Sequence, residues 1–406
     1  MLSVAEARDR ILSRLRPVAA EVLGLIECAD RVLAQDVSAP GDLPAFDNSA
    51  MDGFAVRAAD TSQTNGSPRL HVVADVPAGV PISHRLGEGE AARIMTGAPL
   101  PAGADAVIPV EDTDAGTIAA GTPAPAYVTL GRSVTPGEYV RPRGQDARKG
   151  EVLLREGARL RAQDLGILAM LGQSSVRVFK RPRVALISSG DELLEPGAPS
   201  APGKIRESNS FMIGRLLEQS GAEALRLGIA RDSEDSVQGL LNVAVAARVD
   251  LILSTAGVSV GALDYVRKVL SKDGELDFWK VNMRPGKPLV FGQFRGVPFL
   301  GLPGNPVSAF VAFEVFGRDA VGRLAGLAPT VRPRVRVRIE NEVTSDGRES
   351  YLRAVVTQRD GEFVGNLTGH QGSGNLLSLV QANALLIIPA GVKCLPAGRE
   401  VDAWMI

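Results

Sequence analysis

Apolar and polar positions change their spacing along this 406-residue chain, and each change predicts a different kind of element. Near the start, Ile11, Leu12 and Leu15 share one helical face, Ser3 and Glu6 stand at capping-box spacing, and Pro17 follows, so the spacing predicts a helix over residues 3–15. Between residues 55 and 143 the apolar runs are short and separated by Gly and Pro, as at Leu70-His-Val-Val73, Asp105-Ala-Val-Ile-Pro-Val110 and Tyr127-Val-Thr-Leu130. That pattern predicts a small β domain. Helical spacing returns over residues 162–171, so the chain is expected to leave a helical layer, build the β domain and come back. From residue 184 the pattern is regular. Strands are expected at 184–187, 224–228, 251–254, 289–291 and 297–300, and helices at 208–220, 236–247, 263–270 and 307–324. Alternation of this kind predicts an open, mostly parallel α/β sheet, with ligands at the carboxyl ends of its strands. After residue 329 the spacing changes again. Arg332-Pro-Arg-Val-Arg-Val-Arg-Ile339 alternates as a half-buried strand does, and Ala384–Ile388 is a second candidate in what reads as a C-terminal β domain.

Charge adds little to this picture and excludes several classes of function. Lys+Arg 45 against Asp+Glu 46 leaves a net charge of -1, so an anion site must be local, and neither nucleic acid nor a membrane surface is an expected partner. The arginine alternation at 332–339 reads as a solvated sheet face, because Glu340 and Glu342 follow and no stacking aromatics accompany it. Two cysteines, Cys28 and Cys394, give no disulfide framework, and His71, His84 and His370 have no ligand spacing. The start lacks an apolar leader and the chain has no long apolar run, so a cytoplasmic soluble protein is expected.

Three loops are placed at the carboxyl edge of the predicted sheet: Ser188-Ser-Gly-Asp-Glu192, Thr255-Ala-Gly-Val-Ser-Val-Gly261 and Gly301-Leu-Pro-Gly-Asn-Pro-Val-Ser308. The second joins a short strand to a helix through a glycine turn, which aims backbone N–H groups and a helix start at one point and favours an anion there. Asp264, in the first helical turn, is either a dipole-stabilising residue or a metal ligand. Between Lys280 and Arg295 no acid occurs. Lys280, Arg284 and Lys287 fall in a stretch stiffened by Pro285 and Pro288, which suits phosphate or another tetrahedral oxyanion unless it is only a solvated basic edge. Glu192, Asp232 and Asp264 are few hard oxygen ligands near phosphate-binding loops, the pattern of a Mg2+ site that borrows ligands from substrate and water. Taken singly, each acid is equally a helix cap. No Gly-x-Ser-x-Gly elbow and no phosphate-binding loop ending in Gly-Lys-Ser/Thr is present. Asp47, Asn48, Ser49 and Asp52 crowd a polar passage whose plain reading is a surface turn.

Together, Asp47-Asn-Ser-Ala-Met-Asp-Gly-Phe-Ala-Val56, Ile94-Met-Thr-Gly-Ala-Pro99, Ser189-Gly-Asp-Glu-Leu193, Gly257-Val-Ser-Val-Gly261, Pro285-Gly-Lys-Pro288, Gly301-Leu-Pro-Gly-Asn-Pro-Val-Ser308 and His370-Gln-Gly-Ser-Gly374 resemble the MoeA family, the molybdopterin molybdenumtransferases. The resemblance implies a multidomain α/β and β fold. Its parts would be a helical layer at 1–54 plus 144–178, an inserted β domain at 55–143, an α/β domain at 179–328 and a C-terminal β domain at 329–406. It implies a homodimer whose site is shared between subunits. The implied reaction is Mg2+-dependent: molybdate enters adenylylated molybdopterin, and molybdenum cofactor and AMP leave. By position, the resemblance gives Asp232, Asp264 and Glu192 to Mg2+, Lys280 and Arg284 to phosphate, and Lys287, Arg353 and Ser373 to molybdate. Asp52, Thr96 and Asp146 match active-site positions, the first two reaching the partner subunit's site. Gly257, Ser259 and Gly261 would face the pyrophosphate, and Pro303 and Pro306 would shape the wall. Implied partners are a molybdopterin adenylyltransferase and apo-molybdoenzymes or their chaperones. Two positions depart from the family's pattern: Ala256, where glycine is usual, and Arg284, where lysine is common. The rival readings are an adenylyl-transferring enzyme with a similar α/β domain, which needs neither the flanking domains nor the 47–56 passage, and a scaffold, which would carry a long linker or second module.

Overall fold

The strands expected from residue 184 onward assemble into one six-stranded sheet. Its order is Glu223–Ala230, Arg183–Ser189, Leu251–Thr255, Val297–Leu302, Pro288–Phe294 and Gly274–Lys280. The first four run parallel, Pro288–Phe294 runs antiparallel to them, and Gly274–Lys280 pairs antiparallel with Pro288–Phe294. Ser188 pairs with Thr255 and Thr255 with Leu302, so three strands end level and their following loops leave from one edge. Side chains alternate across the sheet. Val184, Leu186, Leu251 and Leu253 face one core with Val4, Ala7 and Ile11 of the first helix. Ala185, Ile187 and Ile252 face a second core with Leu241, Val266 and Leu270. Burial on both faces is why the central strands read as unbroken apolar runs. The edge strand Gly274–Lys280 escapes such a reading, because Glu275 and Asp277 interrupt it.

This computed structural model describes residues 1–62, 66–80, 83–116, 122–255, 263–328 and 332–406, with the backbone alone for Leu263, Asp264, Arg267 and Trp279. Two compact units result: Asp36–Arg155, and Met1–Gln35 together with Glu156–Ile406. In the larger unit the capped helix Val4–Arg14 forms as expected. Glu6 N–H donates to Ser3 Oγ (3.2 Å), and Ser3 N–H donates to the Glu6 carboxylate (2.8 Å). The strand Ala20–Gly24 pairs with Ser175–Phe179, and the helix Ala162–Met170 precedes it. Residues 180–182 run directly into the strand that starts at Arg183. The stretch expected as one helix over 307–324 is two helices, Pro306–Ala312 and Arg318–Leu324, joined by a π turn at Phe313–Gly317. Every residue of that turn is buried, and the wider turn carries Glu314 inward together with Phe313 and Phe316.

The C-terminal residues form a barrel. Glu349–Arg359, Glu362–Leu367, Val335–Ile339, Glu400–Met405 and Ala384–Ile388 pair in that order, and the last pairs again with the first. Closure removes the sheet edges. Arg336 and Arg338 lie on its solvated face, paired with Glu400, Asp402 and Glu362. One short strand, Met283–Arg284, pairs parallel with Glu349 and Ser350 and so ties the cationic stretch to the barrel.

The smaller unit holds a five-stranded sheet of order Ala106–Pro109, Gly53–Val56, Glu90–Ile94, Arg69–Val76 and Tyr127–Thr129. Gly53–Val56 is wholly buried, so the end of the polar 47–56 passage is an interior strand rather than a surface turn. Asn48 and Ser49 are also buried, paired with Arg141 and Val140. Among the described residues no helix is long and apolar enough to cross a membrane.

Candidate active site

A cavity of about 530 Å³ opens where the carboxyl edge of the six-stranded sheet meets the barrel. That is within the usual size of a ligand pocket. Its wall is drawn from four segments: the 192–209 loop and helix start, Arg284–Pro288, Pro303–Ser308, and barrel residues around Arg353 and Ser373. Five cationic residues line it (Arg206, Arg284, Lys287, Arg348 and Arg353) against two acids, Glu192 and Glu207, which makes it a receptor for anions.

Arg353 is the feature with the least ordinary chemistry. It has no exposed surface, yet among the described residues no carboxylate touches it. Its Nε donates to Ser378 Oγ (3.0 Å) and one terminal nitrogen to Gly372 O (3.0 Å), while Nη1 has no partner among the described residues. Gln371 clamps the backbone on both sides, accepting from Arg353 N–H (3.0 Å) and donating to Arg353 O (3.1 Å). Burial, and then repulsion from Arg284, pull the guanidinium down to about 10. A buried cation held without an anion is poised to take one.

The loop carrying Arg284 and Lys287 is fixed by its surroundings. Arg284 is held in the strand beside the barrel, Val281 N–H donates to Lys287 O, and Arg348 donates to Met283 O. Gly286 lies at φ 107°, in the left-handed region, where a side chain would be strained and would crowd Met283. Ser373 Oγ accepts from Asn305 Nδ2 (2.8 Å), and Val307 N–H donates to Ser373 O, so the barrel loop docks on the start of the Pro306 helix. Glu192, Arg284, Lys287, Pro303, Pro306, Arg353 and Ser373 are therefore brought together in one cleft.

The remaining expected residues stand differently. Asp232 follows the strand Glu223–Ala230. It exchanges backbone-to-carboxylate bonds with Asp191 (3.4 and 3.3 Å), and its Oδ1 is buried with no partner among the described residues. An orphaned carboxylate oxygen beside a second carboxylate fits a cation, but among the described residues no three acidic, His or Cys side chains converge as a complete metal site. The helix Leu263–Asp273 puts Asp264 in its first turn, and that side chain lies outside what is described. Ala256, Gly257, Ser259 and Gly261 lie outside the described residues altogether. Lys280 ends the edge strand, exposed, and does not line the cavity.

In the smaller unit, Asp52 accepts from Thr96 N–H (2.7 Å) and Thr96 Oγ (2.8 Å). Those bonds hold its carboxyl below the usual range. Asp146 is exposed and paired with Arg141 at 2.6 Å.

Sequence reasoning missed Glu207, Asn209, Arg348 and Gln371. Glu207 is the most informative of them. It is buried on the cleft wall and accepts from Ser188 Oγ (3.0 Å), Ser210 N–H (2.8 Å) and Ser210 Oγ (2.6 Å). Ser188 Oγ in turn lies 3.0 Å from Thr255 Oγ1. Glu207 thus ties the ends of two central strands to the helix Asn209–Gln219. The only signal in the sequence was an acid three residues before a serine at a helix start, which reads as an ordinary cap.

Comparison with known proteins gives matches along the whole chain. Residues 2–172 match the MoeA N-terminal region (domain I and II), 185–323 a Probable molybdopterin binding domain, and 336–406 the MoeA C-terminal region (domain IV). A molybdopterin molybdenumtransferase of Nostoc sp. is 38% identical over 390 residues, covering 94% of this chain and 87% of that protein. The one from Haemophilus influenzae is 35% identical over 405 residues, covering 99% and 98%. Among solved structures, the molybdopterin biosynthesis moeA protein from Pyrococcus horikoshii OT3 superposes with a TM-score of 0.84 at 31% identity, covering 100% of both chains.

Proposed function

The chain belongs to the MoeA family, the molybdopterin molybdenumtransferases of molybdenum cofactor biosynthesis, and from that premise we propose that its cleft brings molybdate to adenylylated molybdopterin and releases molybdenum cofactor and AMP. The observation that carries the reading is Arg353: a fully buried guanidinium with an unpartnered nitrogen, beside Arg284, on a cavity wall with few acids. A tetrahedral dianion satisfies that arrangement. Arg353 and Lys287 supply charge and N–H donors, Ser373 Oγ a hydroxyl, and Pro303 and Pro306 a stiff wall that excludes water. In so dry a site, charge-assisted hydrogen bonds of about 1.5–3 kcal/mol each are enough to seat a small oxyanion. Arg284, with Lys280 at the strand end, neutralises phosphate. Little covalent chemistry is asked of the protein, whose work is positioning and charge compensation.

Asp232, Asp264 and Glu192 would hold Mg2+, and the orphaned Asp232 Oδ1 supports that placement. When bound, the metal offsets charge on the pyrophosphate as its phosphoanhydride is cleaved. Gly257, Ser259 and Gly261 would bind the same pyrophosphate. Asp52, Thr96 and Asp146 complete the site in a cytoplasmic homodimer, Asp52 and Thr96 acting on the partner's cleft. A molybdopterin adenylyltransferase supplies the substrate, and apo-molybdoenzymes or their chaperones take the product.

The test is direct. Purified protein given adenylylated molybdopterin, molybdate and Mg2+ should release AMP and yield a cofactor that activates an apo-molybdoenzyme. Substrate left intact at the end of that incubation overturns the proposal. Transfer of AMP from MgATP to molybdopterin by the same preparation would put the adenylyl-transferring reading in its place.

A further inference from the structure

Away from the cleft, the larger unit holds a second cavity, of about 670 Å³, between the first helix, the helix Arg318–Leu324 and the end of the barrel. Six arginines line it: Arg8, Arg159, Arg318, Arg323, Arg332 and Arg334. Two acids, Glu314 and Asp319, share the lining with them. The acids are already used. Glu314 takes Arg318 in a two-pronged bond (3.0 and 2.6 Å) and Arg332 as well, and Asp319 takes Arg8 (2.7 Å). Arg334 reaches Asp402, outside the lining, at 3.1 Å. Among the described residues Arg159 bonds only the Ser220 carbonyl, and Arg323 has no partner. The cavity is therefore left with guanidinium donors that no acceptor among those residues satisfies.

A second and independent observation asks for the same thing. Trp404, 8% exposed, lines this cavity, and its buried indole Nε1 has no acceptor among the described residues. The ring is engaged, stacked with Tyr351 at 5.4 Å and lying under the Arg332 guanidinium at 4.8 Å, so what is left unsatisfied is the N–H edge. A buried donor without an acceptor is costly to the fold, and its natural complement is an oxygen anion. Arginine forks match planar carboxylates and phosphates alike, and the volume suits a small organic molecule better than a single inorganic ion.

We propose that this cavity is a second binding site, for a compact polyanion that carries at least two phosphate or carboxylate groups. Arg323 and the remaining donors of Arg159 are its receptors, Arg8 and Arg334 its rim, and Trp404 a part of its wall.

The full-length chain provides its own reporter. It has two tryptophans, so Trp279→Phe leaves Trp404 as the single indole. Inorganic pyrophosphate and citrate are titrated while indole emission is followed. The expected result is a saturable change whose midpoint rises about tenfold in Arg323→Gln, the loss of one charge-assisted bond. In Arg353→Met, altered only in the first cleft, the midpoint should move less than about twofold. A response to pyrophosphate alone assigns phosphate, a response to citrate alone assigns carboxylate, and both together assign a general oxyanion site. Calorimetry of the chain with both tryptophans gives a second reading: two pyrophosphate sites, one of them weakened about tenfold in Arg323→Gln. Silence to both probes, or a response lost in Arg353→Met and kept in Arg323→Gln, overturns the proposal.

Discussion

Arg353 spends its position on a ligand rather than on the fold. Its two hydrogen bonds offset only part of the desolvation of a charge with no counterion. Arg353→Met should therefore abolish molybdate binding and leave unfolding stability within about 1 kcal/mol of the parent, measured by denaturant titration. A loss of several kcal/mol would make the residue structural. The sign of the pH dependence follows from the same burial. The cation's folded value is lowered to about 10, so the charged form prevails below that pH and is lost as pH rises through it. Molybdate affinity should fall on that alkaline limb. In Arg284→Gln, which removes the neighbouring charge, the limb should move to higher pH. Asp52 is the acidic counterpart. Thr96→Val removes one of its two donors, so NMR titration should find the carboxyl raised toward its ordinary range. The stabilisation that Asp52 gives above its unfolded value then shrinks. Arg284 and Lys287 were legible in the sequence because an acid-free run between prolines announces itself. Arg353 was not legible from the residues alone: it sits in an apolar strand, and only the resemblance pointed to it.

At the scale of elements, the central strands and their helices could be read because each buries a whole face, which leaves a period in the sequence. Three kinds of element left no such mark. The strand Gly274–Lys280 lies at an edge and carries acids on alternate positions. The π turn adds one residue to an otherwise regular helical pattern. Gly53–Val56 is four residues long and follows a polar turn, so its neighbours disguised it. That last strand yields a prediction. Gly53 lies between two partner strands, and a Cβ there would come within 2.0 Å of the Ile108 carbonyl. Gly53→Ala should force the strand Ala106–Pro109 away and destabilise the smaller unit by more than about 2 kcal/mol. Hydrogen exchange should localise the loss to amides of that pair, and unchanged protection there would show that the close approach is relieved at no cost.

For the whole molecule, the proposed site draws Asp52 from one subunit and Arg353 from the other, and a mixing experiment reads that arrangement. Asp52→Asn and Arg353→Met are each expected to be inactive. Refolded together, half the dimers are mixed, and each mixed dimer holds one intact site, so activity should recover to about a quarter of the parent. No recovery would mean that both residues serve the same subunit's cleft. Within the larger unit, the broken helix has a consequence of its own. Pro306 and Ser308 face the cleft at one end, and Arg318 and Arg323 face the second cavity at the other. The two ends are held on one rod of about 28 Å. The π turn sets their rotation relative to each other. Inserting one residue into either flanking helix, where no π turn absorbs it, would swing Arg318 and Arg323 by about 100° around the axis, or else drag Pro306 and Ser308 round. The chain can lengthen or shorten its surface loops freely, but in this helix a change of one residue is a change in what one of the two cavities contains.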